Sequence, residues 1–236
     1  MVLDNREEDW NNSYKNRDNY LFTPNEECIR FISKHIRKRI GLDSFKDIYP
    51  EMEKVKILDL GCGIGRHIIY GHDLGLDMYG IDLSMQAIKV AKTWADQIGV
   101  PSYKTRIVQG DIRKLPWNER FFSHALSHGV LDSMPFDMAR ESVVELSRTM
   151  IMGGLFYCDL ISSENSQHTI GFTGEEIINT LHERSTVQSY FDMKKIKSLF
   201  KECFSIKESY LVRNQNTETG EFSSRHHLVL IREHNK

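Results

Sequence analysis

The chain has 236 residues, 40% of them hydrophobic, and its 31 lysines and arginines against 33 aspartates and glutamates give a formal charge of −2. That length suits one α/β domain with one substantial core, and no apolar run approaches the roughly 20 residues that cross a bilayer. A near-neutral balance argues against nucleic acid, whose phosphates require a basic surface, and leaves small molecules as the expected substrates.

The first thirty residues lack the apolar segment of a signal peptide. Cys28, Cys62, Cys158 and Cys203 are far apart with no C-x-x-C pair, which fits reduced thiols in a cytoplasmic protein. Residues 1 to 22 carry Trp10, Tyr14, Tyr20 and Phe22 among many polar residues and are expected to be mobile. Thr23-Pro24 reads as a helix start, an N-cap followed by proline at the first helical position. Cys28, Phe31, Ile32, His35 and Ile36 then recur at helical spacing. Arg37-Lys38-Arg39 falls at the end of that helix, where cations complement the macrodipole as a solvated face, with a phosphate contact as the alternative.

Lys56 to Leu60 has the aliphatic character of a buried strand and runs into Gly61, Gly63 and Gly65. Glycines on alternate residues let the backbone turn tightly and approach a ligand that a Cβ would exclude. A dinucleotide fingerprint needs a third glycine where this chain has Arg66. A helix follows from Arg66 to Leu74. Asp77 to Ile81 is the second strand and ends at Asp82, about twenty residues past the loop, where a carboxylate can accept both ribose hydroxyls of NAD or of S-adenosylmethionine. Ser84 caps a helix carrying Ala87, Ile88, Ala91, Trp94, Ala95 and Ile98 on one face before Gly99.

Thr105 to Gln109 is the third strand and leads to Gly110, Asp111 and Ile112. Phe122 to Ser127 is the fourth, followed by His128, Gly129, Val130 and Leu131. Asp137 to Met150 reads as a helix, Gly153-Gly154 as a turn and Leu155 to Ile161 as the fifth strand. Asp192 caps a helix through Phe204. Ile206 to Arg213 and His226 to Arg232 form a closing hairpin around the polar turn Asn214 to Ser224. Right-handed connections of this kind give an α/β, doubly wound, mostly parallel seven-stranded sheet with a C-terminal antiparallel hairpin and its ligand at the strands' carboxyl ends.

The run D-L-G-C-G-I-G at Asp59 to Gly65, the acid Asp82, the G-D-I at Gly110 to Ile112 and the segment after Ser127 together resemble class I S-adenosylmethionine-dependent methyltransferases, a Rossmann-like family, over roughly residues 50 to 161. The resemblance implies that Gly61, Cys62, Gly63 and Arg66 wrap the cofactor, Cys62 chiefly through its backbone. It places Asp59 near the methionine ammonium, Asp82 and Leu83 at the ribose, and Asp111 with Ile112 at the adenine. The segment His128 to Leu131 would pass under the methionine and the sulfonium, with Ser127 and His128 in contact with the cofactor. It also implies that the W-x-x-x-Y pair Trp10 and Tyr14 forms an N-terminal lid over cofactor or substrate; the alternative is an amphipathic helix packed on the domain.

The expected activity is methyl transfer from S-adenosylmethionine, leaving S-adenosylhomocysteine, to an oxygen or nitrogen of a small acceptor such as a sugar or other biosynthetic intermediate. His128 is the candidate general base, since imidazole titrates near neutral pH; its other reading is a backbone contact to the cofactor. His168, His182, Tyr190, His226 and His227 are weaker candidates. The insertion 162–191, with Phe172, His182, Arg184, Tyr190 and Phe191, is expected to wall the substrate. Ser127-His128-Gly129-Val130 lacks the acidic or amide residue and paired prolines of enzymes methylating adenine or glutamine. No Asp, Asn and His set suggests a metal. An RNA or protein methyltransferase, a regulatory cofactor-binding module and an NAD-dependent oxidoreductase are the alternatives; oligomeric state stays open.

Overall fold

The computed structural model describes residues 6–17, 19–166, 168, 170–179 and 185–233. The chain opens with α1 (Arg6–Lys15) and α2 (Glu26–His35). α2 starts later than Thr23-Pro24 suggests, because Asn25, in an extended conformation, offers its side-chain oxygen to the free N–H of Glu27 at 2.9 Å. The basic triplet is not a helix end. It is β1 (Arg37–Arg39), paired antiparallel with β2 (Phe45–Asp47). Arg37 Nε donates to Asp47 at 2.6 Å, and the Arg39 guanidinium lies 5.0 Å over the Phe45 ring, so two of these cations hold the two strands of the hairpin together.

β3 (Ile57–Leu60) is buried along its whole length and feeds α3 (Arg66–Asp73). β4 (Met78–Asp82) follows, then α4 (Met85–Gln97), capped by Ser84 Oγ accepting from Ala87 N at 3.2 Å. The third expected strand is shortened. Thr105 and Arg106 belong to the helical turn α5 (Tyr103–Arg106), where Thr105 Oγ1 donates to the Ser102 carbonyl, and only β5 (Ile107–Gln109) is extended. β6 (Phe122–Ser127) and α6 (Phe136–Thr149) lie within a residue of expectation.

β7 (Met150–Ile161) is longer than expected. Gly153-Gly154 does not turn out of the sheet but sits in an irregularity of register, since Phe122 pairs with Met150 while His124 pairs with Leu155. The insertion carries a two-stranded antiparallel unit, β8 (Glu175–Ile177) and β9 (Val187–Ser189). α7 (Met193–Phe200) is capped by Asp192 and stops short of Phe204, which opens β10 (Phe204–Gln215). With β11 (Phe222–Arg232), the closing hairpin extends further than the polar composition of its tip suggested.

The main sheet has the order β10-β11-β7-β6-β3-β4-β5. The five strands from β7 to β5 are parallel, and β11 runs antiparallel to both β7 and β10. The expected seven-stranded doubly wound sheet is therefore present. Alternate residues face two cores: Leu58, Phe156 and Leu228 pack with α6 and α7, whereas Ile57, Tyr157 and Val229 pack with α2, α3 and α4. From β3 the order runs outward to β4 and β5 on one side and to β6 and β7 on the other. The carboxyl ends of β3 and β6 thus flank the point where the winding reverses, and a ligand crevice opens there.

Candidate active site

The turn after β3 is built for close approach. Gly61 and Gly63 have φ of +73° and +53°, a region that side chains rarely tolerate. A Cβ on Gly61 would collide with Val130 Cγ2, and one on Gly63 would stand 2.5 Å from Tyr14 Oη. The loop N–H of Gly63 is fixed by Asp82 Oδ2 at 2.8 Å, and Asp82 Oδ1 accepts from Ser84 N at 2.8 Å. One carboxylate at the end of β4 thereby holds both the glycine loop and the start of α4. Burial outweighs those two hydrogen bonds and pushes the Asp82 carboxyl up to about 6.

These groups face a cavity of about 250 Å³. Gly61, Cys62, Gly63 and Arg66 border it from the loop, Asp82 and Leu83 from the end of β4, Asp111 and Ile112 from the end of β5, and His128 from the end of β6. Trp10 and Tyr14 of α1 close the opposite side. The helix is attached there by Asn11 Oδ1, which accepts from Ser84 Oγ at 2.9 Å and Gln86 N at 3.2 Å. Trp10 and Tyr14 also pack with Ile64, Ala87, Val90 and Trp94, so α1 both roofs the cavity and packs on the domain.

Two of the expected contact residues do not line this cavity. Ser127 is buried within the sheet, paired with Cys158 on β7. Asp59 lies below the loop, 1% exposed, with His67 Nδ1 at 3.4 Å, and its Oδ2 has no hydrogen-bond partner among the described residues. An orphaned buried carboxylate oxygen beside a glycine cradle suits a cationic ammonium group. The chain's own residues therefore fit an aminoacyl nucleoside such as S-adenosylmethionine. Asp111 is a weaker match to its expected role, because Arg113 Nε and Nη2 hold its carboxylate at 2.6–3.1 Å, and burial notwithstanding that arginine keeps its pKa below the ordinary value.

His128 is embedded in a charged network. Burial lowers its pKa to about 4, with Arg66 and Arg225 reinforcing the shift against Asp159. The ring is neutral at physiological pH. Arg66 Nη2 lies 3.1 Å from Nδ1, and since arginine only donates, Nδ1 carries the lone pair and Nε2 the proton. Nε2 is 3.5 Å from Asp159 Oδ2. Asp159 also accepts from Gly129 N and from Arg225 Nε, both at 2.7 Å, and Arg225 Nη2 bonds Asp132. Burial raises the carboxyl pKa of both acids, but Arg225 and His128 reverse the shift for Asp159, whereas Asp132 stays raised. Asp159 therefore holds the negative charge that pairs with the partly buried Arg225.

The weaker histidine candidates lie elsewhere. His168 Nε2 is 2.8 Å from Tyr190 Oη, which donates to Glu176 within the insertion. His226 bonds the Phe191 carbonyl, His227 Nδ1 bonds Tyr157 Oη, and Phe191 is core. None of these residues, nor Phe172, borders the cavity, and His182 and Arg184 fall outside the described residues. Sequence reading missed Arg6, Asn19, His67, Ser133 and Met134, which do border it. His67, next to Arg66 at the start of α3, had a positional signal; Arg6 and Asn19 lie in the N-terminal segment and Ser133 and Met134 just past Leu131, with no motif of their own. No group of three His, Cys, Asp or Glu side chains among the described residues could hold a metal ion.

A doubly wound sheet with a glycine cradle, an acid at each of the next two strand ends and an orphaned carboxylate below the loop is a Rossmann-like arrangement similar to that of methyltransferases. Residues 58–158 match the family described as methyltransferase domain. A sterol 4-C-methyltransferase of Caenorhabditis elegans is 26% identical over 149 residues, covering 61% of this chain and 41% of that protein. A ubiquinone biosynthesis O-methyltransferase of Colwellia psychrerythraea is 27% identical over 150 residues, covering 63% and 57%. The chain thus spans about half the length of the curated relatives it matches. In fold it is similar to an S-adenosylmethionine-dependent methyltransferase of Methanosarcina mazei, with a TM-score of 0.63 at 18% identity over 80% of this chain and 100% of that one.

Proposed function

We propose that this protein methylates an oxygen or nitrogen of a small molecule, using S-adenosylmethionine. The observation that carries the reading is the roofed cavity: the glycine loop forms one wall and α1 the other, so the space suits a cofactor with a small acceptor rather than a polymer running along an open groove. The relatives at 26% and 27% identity are named for a sterol and for ubiquinone biosynthesis, both small-molecule chemistries.

Bound there, the cofactor supplies an activated sulfonium methyl. The chain's task is then to hold, orient and deprotonate. Asp59 Oδ2 and the loop amides would hold the aminoacyl end, Asp82 the ribose hydroxyls, and Ile112 with Leu83 the adenine. Trp10 and Tyr14 exclude water from above. His128 is the proposed base. Its Nδ1 lone pair faces Arg66 at 3.1 Å, so Arg66 must turn toward a ligand carboxylate before Nδ1 can take a proton from the acceptor. Asp159 fixes the required tautomer through Nε2 and stabilises the imidazolium that forms.

The test is to incubate the protein with methyl-labelled S-adenosylmethionine and, separately, a small-metabolite fraction, total RNA and total protein. Label in the metabolite fraction is the expected result. Label confined to RNA or protein would contradict the reading.

A further inference from the structure

Among the described residues, Arg6 is a cation without a paired anion. It opens α1 at the junction of the main cavity with a small cleft bordered by Asp9, Trp10, Ser133 and Ser185. Its one hydrogen-bond contact among the described residues is from Nη1 to Met138 Sδ at 3.6 Å, a weak acceptor. No carboxylate of the described residues is paired with it. Asp111 exerts a favourable field on it but is already bonded by Arg113, whose own charge opposes that field. Desolvation dominates, and burial lowers the Arg6 pKa. A half-buried guanidinium facing free space with a thioether for company is costly until an anion reaches it.

Its location says which anion. Arg66 stands at the glycine loop and is the group placed to meet the cofactor's own carboxylate. Arg6 stands instead where the roof helix meets Ser133, on the loop after β6, and Ser185, in the insertion after β7. That is the side on which α1 and the loops after β6 and β7 meet, and loops of this kind carry specificity, so an acceptor would enter there.

Resting on the methyltransferase reading above, we infer that Arg6 selects the acceptor by charge, and that the molecule methylated here carries a carboxylate or similar oxyanion that pairs with the Arg6 guanidinium. A planar fork of donors suits such a group. Its desolvation is already borne by the free protein, so pairing yields more net affinity than at an exposed arginine. A neutral analogue of the same shape would leave the cation as it is and gain nothing from it.

The experiment titrates protein saturated with S-adenosylhomocysteine with matched probes, para-hydroxybenzoate and para-hydroxybenzamide, and glucuronate and glucose. At least one acid binds roughly tenfold or more tighter than its neutral partner. Arg6→Leu abolishes that preference, Arg6→Lys retains part of it, and both keep the affinity for S-adenosylhomocysteine. Equal affinities within both pairs, or a preference that survives Arg6→Leu, would overturn the inference. So would a tenfold loss of S-adenosylhomocysteine affinity in Arg6→Leu, which would assign Arg6 to the cofactor. Failure of the wild-type protein to bind S-adenosylhomocysteine in the first titration would instead remove the reading on which the inference rests.

Discussion

Asp82 has a structural role beside the ribose contact proposed for it. Its two oxygens already fix Gly63 and Ser84, yet burial keeps its pKa near 6, well above the ordinary value of about 3.9. An acid whose folded pKa is raised contributes stability below the unfolded value, and that contribution is lost as pH rises through about 6. At neutral pH the free protein therefore holds this carboxylate ionised at a cost. Ribose hydroxyls donating to it favour the ionised form. Binding of S-adenosylhomocysteine at pH 6 should accordingly release protons, visible as a buffer-dependent heat, and the release should vanish at pH 8 and in Asp82→Asn. A heat independent of buffer at pH 6 would contradict this. Asp82→Ala should weaken binding by roughly 1.5–3 kcal/mol.

At the scale of elements, the parts legible in the sequence were those whose cause is local. The apolar run of β3, its three glycines and the Ser84 and Asp192 caps are each set by a few neighbouring residues, and the structure has them in place. What failed depends on distant partners. Arg37 to Arg39 became a strand because β2 pairs with it, and Thr105 joined a helical turn instead of extending β5. Of the site, the loop and strand-end residues could be read, whereas Asp159 and Arg225 look like ordinary strand residues until the sheet brings them to His128. α1 is the least anchored part of the site. Only Ser13 and Tyr14 are buried within it, and Asn11 supplies its side-chain hydrogen bonds to the start of α4. Local opening should therefore be easy, and a ligand beneath the helix should suppress it. Backbone amides of residues 6–15 are predicted to exchange more slowly by about tenfold when S-adenosylhomocysteine is added, a change of roughly 1.4 kcal/mol in opening free energy. Unchanged exchange would mean that α1 is a packed helix and not a roof.

The whole molecule is tied together beneath the site by Arg225 on β11, which bonds Asp159 on β7 and Asp132 on the loop after β6. Two buried acids share one guanidinium, so its removal leaves charge uncompensated in the interior. Arg225→Gln is expected to cost about 3–5 kcal/mol in urea unfolding, and a loss below about 1 kcal/mol would show that the network is solvated. No helix among the described residues is long and apolar enough to cross a membrane. The central claim concerns the cavity between the glycine loop and α1, and calorimetric titration tests it most directly. S-Adenosylmethionine and S-adenosylhomocysteine should bind with micromolar affinity while NAD gives no heat. Binding of NAD, or no binding of any of the three, would contradict the account.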